Sequence, residues 1–134
     1  MLSDVWRPGA ATHRGIAVHG FPNLWLLVGP NTGLGHNSIV FMLEAQLHTV
    51  SGALRAQVEH GWRSVEVRAA AQQRWYDTVQ RRMQSTVWAS GCQSWYLDAD
   101  GRNDTLWPGS TVEYWWQTRR FRAEIGRASC RERV

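Results

Sequence analysis

One succession of segments limits the possible folds of this chain more than any other feature: an apolar run, a glycine-rich loop and a long amphipathic stretch. Every residue of Leu24–Val28 is apolar, which is typical of a strand buried on both faces in a parallel sheet. The glycine-rich loop Asn31–His36 follows, and a long helix is predicted from about Asn37 until Gly61, a residue type that commonly ends helices. This order of elements predicts an α/β fold.

The predicted long helix carries apolar side chains at steps of three and four residues, which places them on one helix face. They are Ile39, Leu43, Leu47, Val50, Leu54 and Val58, with Val40 beside them. We expect Leu43 and Leu47 to be core residues rather than parts of a cofactor site.

The rest of the chain predicts shorter elements around this unit. Residues 1–23 are rich in glycine and proline and are interpreted as loop. The further expected elements are, in chain order, a short strand at Ser64–Arg68, a polar helix from Ala69 to about Gln84, an aromatic hairpin of Ser94–Leu97 and Thr105–Trp107, and a terminal helix from Thr111 to about Arg120, with Ser110 and Glu113 at capping-box spacing.

The glycine-rich loop is a candidate ligand site because it leads into a helix start. The first turn of a helix has unpaired N–H groups and the positive end of the helix dipole, and glycines let a ligand approach the backbone. Gly33-x-Gly35-x-x-Ser38 matches the dinucleotide fingerprint only in part, and Gly29 and Gly33 lack the Gly-Lys-Ser/Thr ending of a phosphate loop. Spacing alone leaves two interpretations open, a ligand-binding loop and an ordinary strand-to-helix turn.

The C-terminal residues Ile125–Val134 read like a translated sequencing adapter, and we interpret them as a non-native tail. Without the tail, 12 Arg face 10 acidic residues, and the net charge falls from +4 to +2. The basic balance is then too small to argue for a nucleic-acid partner. Cys92 is left as the single cysteine, so nothing argues for secretion, and no apolar run reaches the roughly 18 residues of a membrane span. We expect a cytoplasmic protein without an integral membrane segment.

Two sets of motifs resemble the C-terminal part of flavin-containing monooxygenases of the Baeyer–Villiger type. They occur in family order within residues 13–122, and they are Phe21–Leu24, Gly29–Ser38 and Phe41–Gln46 in the first half, then Trp88–Asn103 and Leu106–Gly109 in the second. The resemblance implies part of a flavoprotein with two dinucleotide-binding domains. It implies that residues 1–61 return the chain to the FAD-binding domain and that residues 62–124 form an aromatic C-terminal segment.

The resemblance also implies an activity and a set of cofactor contacts. Such an enzyme uses FAD, NADPH and O2 to oxygenate ketones or soft heteroatoms of small organic substrates through a flavin peroxide. The resemblance places Trp95 near the nicotinamide ribose of NADP(H). Cofactor contacts are implied for Gly29, Pro30, Asn31, Thr32, Gly33, Leu34, Gly35, His36 and Asn37.

No catalytic residue and no metal ligand is assigned within this chain. His36 is interpreted as a loop histidine that bonds backbone groups rather than as a catalyst. The acidic run around Asp98, Asp100 and Asp104 is interpreted as a solvated turn, because its glycine falls too early for an EF-hand loop.

The resemblance places both dinucleotide fingerprints upstream in several-fold longer relatives, so we expect a C-terminal fragment that is inactive alone. A competing hypothesis is a stand-alone module in which some of the nine Trp and the many Arg, such as Trp115-Trp116 and Arg119-Arg120, bind carbohydrate or single-stranded nucleic acid. A different two-dinucleotide flavoprotein, such as a reductase, would share the loop and helix but not the Ser94–Asn103 segment. Substrate and oligomeric state stay open.

Overall fold

The computed structural model describes residues 1–34, 38–86, 100–122 and 126–129. The elements in chain order are α1 (Leu2–Val5), α2 (Ile39–His60), β1 (Ser64–Val67), α3 (Ala69–Met83), α4 (Thr111–Thr118) and β2 (Gly126–Ser129). The predicted helices at 37–61, 69–84 and 111–120 are confirmed as α2, α3 and α4, and the predicted strand at 64–68 as β1. The short helix α1 was not predicted. No described helix is both long and apolar enough to cross a membrane.

Local sequence signals set the ends of these helices. Gly61 ends α2 in the left-handed conformation, with φ of 63°, and its N–H bonds back to the last turn. Ser110 caps α4 as predicted, since its hydroxyl accepts a hydrogen bond from the Glu113 N–H at 3.1 Å. The Glu113 carboxylate does not complete the capping box but pairs with Arg82 on α3.

Helix α2 packs against α4 through a face that combines Met42 with small and polar residues, and most of its larger apolar side chains lie elsewhere. The buried residues of α2 are Met42, Ala45, Gln46, Thr49 and Ala53. The alanines on this face let the two helices approach closely, and Tyr114 and Thr118 of α4 are completely buried opposite them.

The predicted core face of α2 is therefore wrong. Leu47 and Leu54 are 47% and 48% exposed, and Val58 is 83% exposed. Ile39 and Val40 are exposed as well, while Leu43 and Val50 are half-buried, so the seven residues form an apolar stripe along the helix. Apolar periodicity shows which residues share a helix face but not what that face packs against. It therefore could not distinguish this stripe from the face that packs on α4.

The hydrophobic core joins α2, α3 and α4 around two aromatic rings. Trp107 and Tyr114 meet edge to face at a centroid distance of 5.4 Å. The Trp107 ring also stacks on Trp75 of α3, with centroids 6.0 Å apart and planes within 6°. Leu34, within the glycine-rich loop, packs against this cluster, so the core reaches the loop directly.

The segment Leu24–Val28 does not form the predicted buried strand. Within this segment, the Leu26 N–H donates a hydrogen bond to the Ile16 carbonyl. Asn23 and Val28 at its two ends have positive φ angles of 60° and 56°, and Leu27 and Val28 are exposed. No described strand lies beside it, and a parallel strand needs hydrogen-bonded neighbours, which apolar character alone does not supply.

Strand β1 pairs antiparallel with β2, with Ser64 opposite Ser129. Strand β2 lies in the tail interpreted as adapter-derived. The hydrogen bonds between the two strands are made by backbone groups, which every sequence has. The pairing therefore does not test whether the tail is adapter-derived, and its origin stays a prediction. Of the predicted hairpin, Ser94–Leu97 lies outside the described residues. Thr105–Trp107 is not a strand, and Leu106 forms a single parallel bridge with Gly33 instead.

The two faces of α2 predict opposite responses at neighbouring positions. Ala53→Leu overfills the buried contact and should lower the free energy of unfolding by about 1–3 kcal/mol. Leu54→Gln, one residue further, should change it by less than about 0.5 kcal/mol because that side chain contributes little burial. Urea denaturation followed by circular dichroism measures both. A larger loss in Leu54→Gln than in Ala53→Leu would contradict the assignment of the core face.

Candidate cofactor site

The glycine-rich loop is fastened to the turn at residues 103–107 by backbone hydrogen bonds. The N–H groups of Asn31 and Gly33 donate to the carbonyls of Asp104 and Thr105, at 2.8 and 2.9 Å. The Trp107 N–H donates in turn to the Gly33 carbonyl at 2.9 Å. The loop and the turn therefore form one unit, although about 70 residues separate them along the chain.

Two buried asparagines complete this attachment, and we call the set of bonds the asparagine clasp. The Asn31 amide donates to the carbonyls of Asn103 and Leu106, at 2.6 and 3.1 Å. The Asn103 side-chain oxygen accepts from the N–H groups of Thr105 and Leu106, at 3.1 and 2.9 Å. Asn31 has a φ of 59°, which asparagine tolerates better than most residues. Both side chains are enclosed, so the clasp operates without competition from water.

Gly33 within the loop and Gly29 just before it are required by packing within the chain. A Cβ atom on Gly33 would lie 2.8 Å from the Thr105 carbonyl oxygen, and one on Gly29 would overlap the Gly15 carbonyl. The Thr32 hydroxyl donates to the Gly29 carbonyl at 2.5 Å and is buried. The sequence suggested that the glycines let a ligand approach the backbone. In this part of the chain they instead let other backbone segments approach it.

Helix α2 begins shortly after the loop, and among the described residues no side chain caps its N-terminus, which we call the open start of α2. Ser38 is the N-cap of α2, it is exposed, and its side chain caps no N–H group. The first turn of α2 has no acidic residue. Among the described residues, this 22-residue helix therefore has neither a side-chain cap nor an acidic side chain in its first turn to balance its first N–H groups and the positive end of its dipole. This arrangement suits an anionic or electron-rich group of a ligand.

The predicted site residues divide into two groups. The residues from Gly29 to Leu34 lie in the fastened loop, where the N–H groups of Asn31 and Gly33 already have partners. Gly35, His36, Asn37 and Trp95 lie outside the described residues. The described residues contain no cluster of three side chains that could hold a metal ion.

Sequence reasoning missed Asn103 and Asp104 as parts of this site. The Asp104 carboxylate accepts from the Ala10 N–H at 2.7 Å and from the Tyr76 hydroxyl at 3.0 Å, so it holds the turn against two other segments. The available signal was an Asn-Asp pair directly after a glycine turn. Such residues often bond to local backbone, but the partner across the fold cannot be read from the pair.

A second polar network supports the segment that precedes the loop. The side-chain carbonyl of Gln46 accepts from the Val28 N–H, and its amide donates to the Tyr114 hydroxyl, both at 2.9 Å. Tyr114 donates in turn to the Arg14 carbonyl at 2.5 Å. Burial raises the pKa of Tyr114, so the phenol stays protonated and keeps this donor.

A bidentate ion pair fixes α3 against α4. The two guanidinium nitrogens of Arg82 lie 2.5 and 2.9 Å from the carboxylate oxygens of Glu113. The hydrogen bonds from Arg82 lower the pKa of Glu113. The guanidinium also lies 5.5 Å from the centroid of the Trp107 ring, so the pair borders the aromatic core.

His13 is held neutral beside α3. Its Nδ1 lies 3.3 Å from the Ala71 carbonyl, which can only accept, so Nδ1 carries the proton. Burial, together with the positive charges of Arg14 and Arg74, lowers the pKa of His13 to about 4. The Nε2 atom is buried and has no partner among the described residues.

Comparisons with known proteins agree with this architecture. The chain is 46% identical over 121 residues, 89% of its length, to a Baeyer–Villiger monooxygenase of Streptomyces coelicolor. It is also 46% identical over 124 residues, 91% of its length, to a Baeyer–Villiger monooxygenase of Pseudomonas aeruginosa. The chain spans 23% and 24% of these two relatives, about a quarter of their length. No family model matches it.

Solved structures show the same fold. A steroid monooxygenase bound to NADP matches 87% of the chain with a TM-score of 0.77 and 25% identity, and the chain spans 22% of it. A closed structure of cyclohexanone monooxygenase matches 96% of the chain with a TM-score of 0.77 and 20% identity, and the chain spans 25% of it. The fold is α/β and corresponds to part of a flavin monooxygenase with two dinucleotide-binding domains. Within that class, the curated relatives are Baeyer–Villiger monooxygenases.

The asparagine clasp predicts that a small change of one side chain strongly lowers the free energy of unfolding. Asn31→Asp replaces the donating amide with an acceptor, so the Leu106 carbonyl loses its side-chain donor and the Asn103 carbonyl keeps only Gln80, while a buried carboxylate faces both oxygens. We expect the free energy of unfolding to fall by about 2–4 kcal/mol. Asn23→Asp is the matched control, because Asn23 has the same positive φ but is exposed, and its loss should stay below about 1 kcal/mol. Equal losses in the two variants, measured by urea denaturation, would contradict a buried clasp.

The lowered pKa of His13 predicts a pH dependence of stability. The unfolded chain takes up a proton near the ordinary value of 6.5 and the folded chain near 4, so stability is complete above pH 6.5 and is lost as the pH falls towards 4. We expect a loss on the order of 2 kcal/mol over this range, measured by urea denaturation at several pH values. His13→Gln should remove that part of the slope, whereas replacing exposed His48 by Gln should leave it. Identical slopes in all three proteins would refute a neutral buried His13.

Proposed function

We propose that this chain forms the C-terminal part of an FAD-dependent, NADPH-using monooxygenase that oxygenates ketones or soft heteroatoms of small organic substrates with O2. The similarity to two Baeyer–Villiger monooxygenases over about nine tenths of the chain supports this proposal. Bound FAD would supply the oxygen chemistry, while the residues of this chain bind and orient.

The observation that carries the proposal is the open start of α2 beside the clasped loop. Its N–H groups and dipole would stabilise negative charge on a flavin ring, and the clasp would fix the helix start in place before the cofactor binds. The described residues fit such a group because Ser38 is exposed and the first turn carries no competing carboxylate.

Within this proposal the predicted cofactor residues take different roles. Residues 29–34 shape the loop through their bonds to the turn at residues 103–107. The backbone of Gly35, His36 and Asn37 would contact the flavin, and Trp95 would lie against the nicotinamide ribose. Residues 1–61 would belong to the FAD-binding domain and residues 62–124 to the aromatic C-terminal segment.

The apolar stripe of α2 supports a place within a larger body. Five of the seven apolar side chains of the stripe are exposed and the other two are half-buried, which is unusual for a surface that stays in water. We propose that the 134 residues alone bind no flavin and turn over no substrate.

The competing carbohydrate or nucleic-acid module has little support at its best candidate platform. Trp116 is 63% exposed, but the guanidinium of Arg119 lies 3.5 Å from its ring centroid and occupies one face. Trp115 packs against the core, so the two adjacent rings do not form one stacking surface.

A chimera tests the proposal. Residues 1–124 would replace the matching segment of the Streptomyces coelicolor relative, and we expect the product to retain yellow FAD and to oxidise NADPH in a ketone-dependent manner. Ser38→Asp should then weaken FAD binding about tenfold or more, because the new carboxylate caps the helix start and repels electron-rich groups. Ser51→Asp, the same change on an exposed position of α2, should bind FAD like the unsubstituted chimera.

Two outcomes would contradict the proposal. One is a well-folded chimera that binds no FAD. The other is a stoichiometric flavin spectrum for the 134-residue chain by itself, which we expect to purify colourless.

A further inference from the structure

The apolar stripe of α2 lies largely uncovered by the residues that the structure describes. Its members run from Ile39 to Val58, which is about 29 Å along the helix axis. Val28, whose N–H bonds to Gln46 of α2, adds another exposed apolar side chain beside the helix. Apolar surface of this extent marks an interaction site more often than a solvated face.

The order of the stripe is the same in both chain directions. Apart from Val40, its successive members are four, four, three, four and four residues apart. The midpoint lies between Leu47 and Val50, so two copies of α2 can pack antiparallel with each large side chain opposite another. The facing pairs, each formed twice by the symmetry, are Leu47 with Val50, Leu43 with Leu54 and Ile39 with Val58. A second copy therefore fits the stripe along its whole length.

Two charged side chains beside the stripe favour the antiparallel arrangement. Glu44 and Arg55 are exposed and form no ion pair with a described residue. Each precedes a member of the stripe by three residues, Leu47 and Val58 respectively, so both lie on the same flank of the stripe.

In the antiparallel register this flank faces the same flank of the second copy. Glu44 of one copy and Arg55 of the other then lie within about 3 Å of each other along the helix axis, and the symmetry forms this ion pair twice. In a parallel arrangement the flank would face the opposite flank of the second copy, and neither pair could form.

The polarity of the helices agrees with the same arrangement. The open start of α2 in one copy lies near the C-terminal end of α2 in the other, so helix-dipole ends of opposite sign are side by side. This contribution is small at ordinary ionic strength. The apolar contacts supply the affinity, while the ion pairs determine the direction of packing.

We propose that the 134-residue chain forms a symmetric dimer with a second copy of itself through the apolar stripes of two antiparallel α2 helices, with Glu44 of each copy paired to Arg55 of the other. The interface uses one helix from each copy, so the dimer is weak, with a dissociation constant on the order of 100 μM. It requires no FAD and does not rest on the proposed monooxygenase activity.

Sedimentation equilibrium of the 134-residue chain tests the dimer. Between roughly 10 μM and 1 mM, we expect a monomer–dimer equilibrium that approaches twice the chain mass of 15.3 kDa. Leu47→Gln should weaken the dimer about tenfold or more, because it removes apolar contact at two symmetric places. Val112→Gln, on an exposed apolar position of α4, should change the dissociation constant less than about twofold. Circular dichroism at low micromolar concentration detects mostly monomer, so the stability expected for Leu54→Gln is that of the monomer.

Charge reversal tests the direction of packing. Glu44→Arg and Arg55→Glu each place like charges opposite one another twice, so each should weaken the dimer about tenfold. The double variant exchanges the two charges and should bind within about threefold of the unsubstituted chain. Asp77→Arg and Arg74→Glu make comparable charge changes on exposed positions of α3 and should have less than about a twofold effect. Circular dichroism checks that every variant is folded.

Four outcomes would overturn the proposal. Two concern the size of the assembly, namely a chain that stays monomeric up to about 1 mM or one that forms open-ended assemblies larger than a dimer. The other two concern the charges, namely single variants that behave like the α3 controls or a double variant that stays as weak as the single ones. None of these measurements involves FAD, so the dimer and the proposed monooxygenase can fail independently.

Discussion

The contact on which the rest of the structure depends is the meeting of the glycine-rich loop with the turn at residues 103–107. The backbone bonds of Gly33 fix its position relative to Thr105 and Trp107. Through Trp107 the same contact positions the aromatic core, and through Leu34 it brings the chain to the start of α2. The position of the described loop residues, up to Leu34, is thus fixed by hydrogen bonds to a turn that the loop meets only after folding.

Helix α2 has two apolar surfaces with different tasks. Its small residues, such as Ala45 and Ala53, lie on the buried face that packs against α4 inside this chain. Its larger residues, such as Leu47 and Leu54, face outward. A helix that is apolar on two sides is typical of the interior of a larger protein, which agrees with a chain that spans about a quarter of its relatives.

The parts of the fold that depend on local signals could be predicted, and those that depend on distant partners could not. Gly61 and Ser110 marked helix ends because their conformations are set by neighbouring residues. The periodicity of α2 gave its length but not which face packs. Leu24–Val28 was apolar enough for a strand, yet strand formation requires neighbours that the run itself does not provide. Likewise the glycines located the candidate site, but Asn103 could not be found because its partner Asn31 is 72 residues away.

The asparagine clasp also bears on the order in which the chain folds. Helices α2 and α3 and strand β1 all lie between its two halves, so the chain must close a loop of about 70 residues before the clasp can form. Loop closure on that scale is entropically unfavourable, whereas the helices need only local contacts. The clasp therefore forms late in folding. The amide hydrogens of Gly33 and Trp107 should exchange with solvent at the rate at which the clasp opens. A ligand that binds the open start of α2 would slow that exchange by stabilising the closed clasp, although the ligand does not contact the clasp.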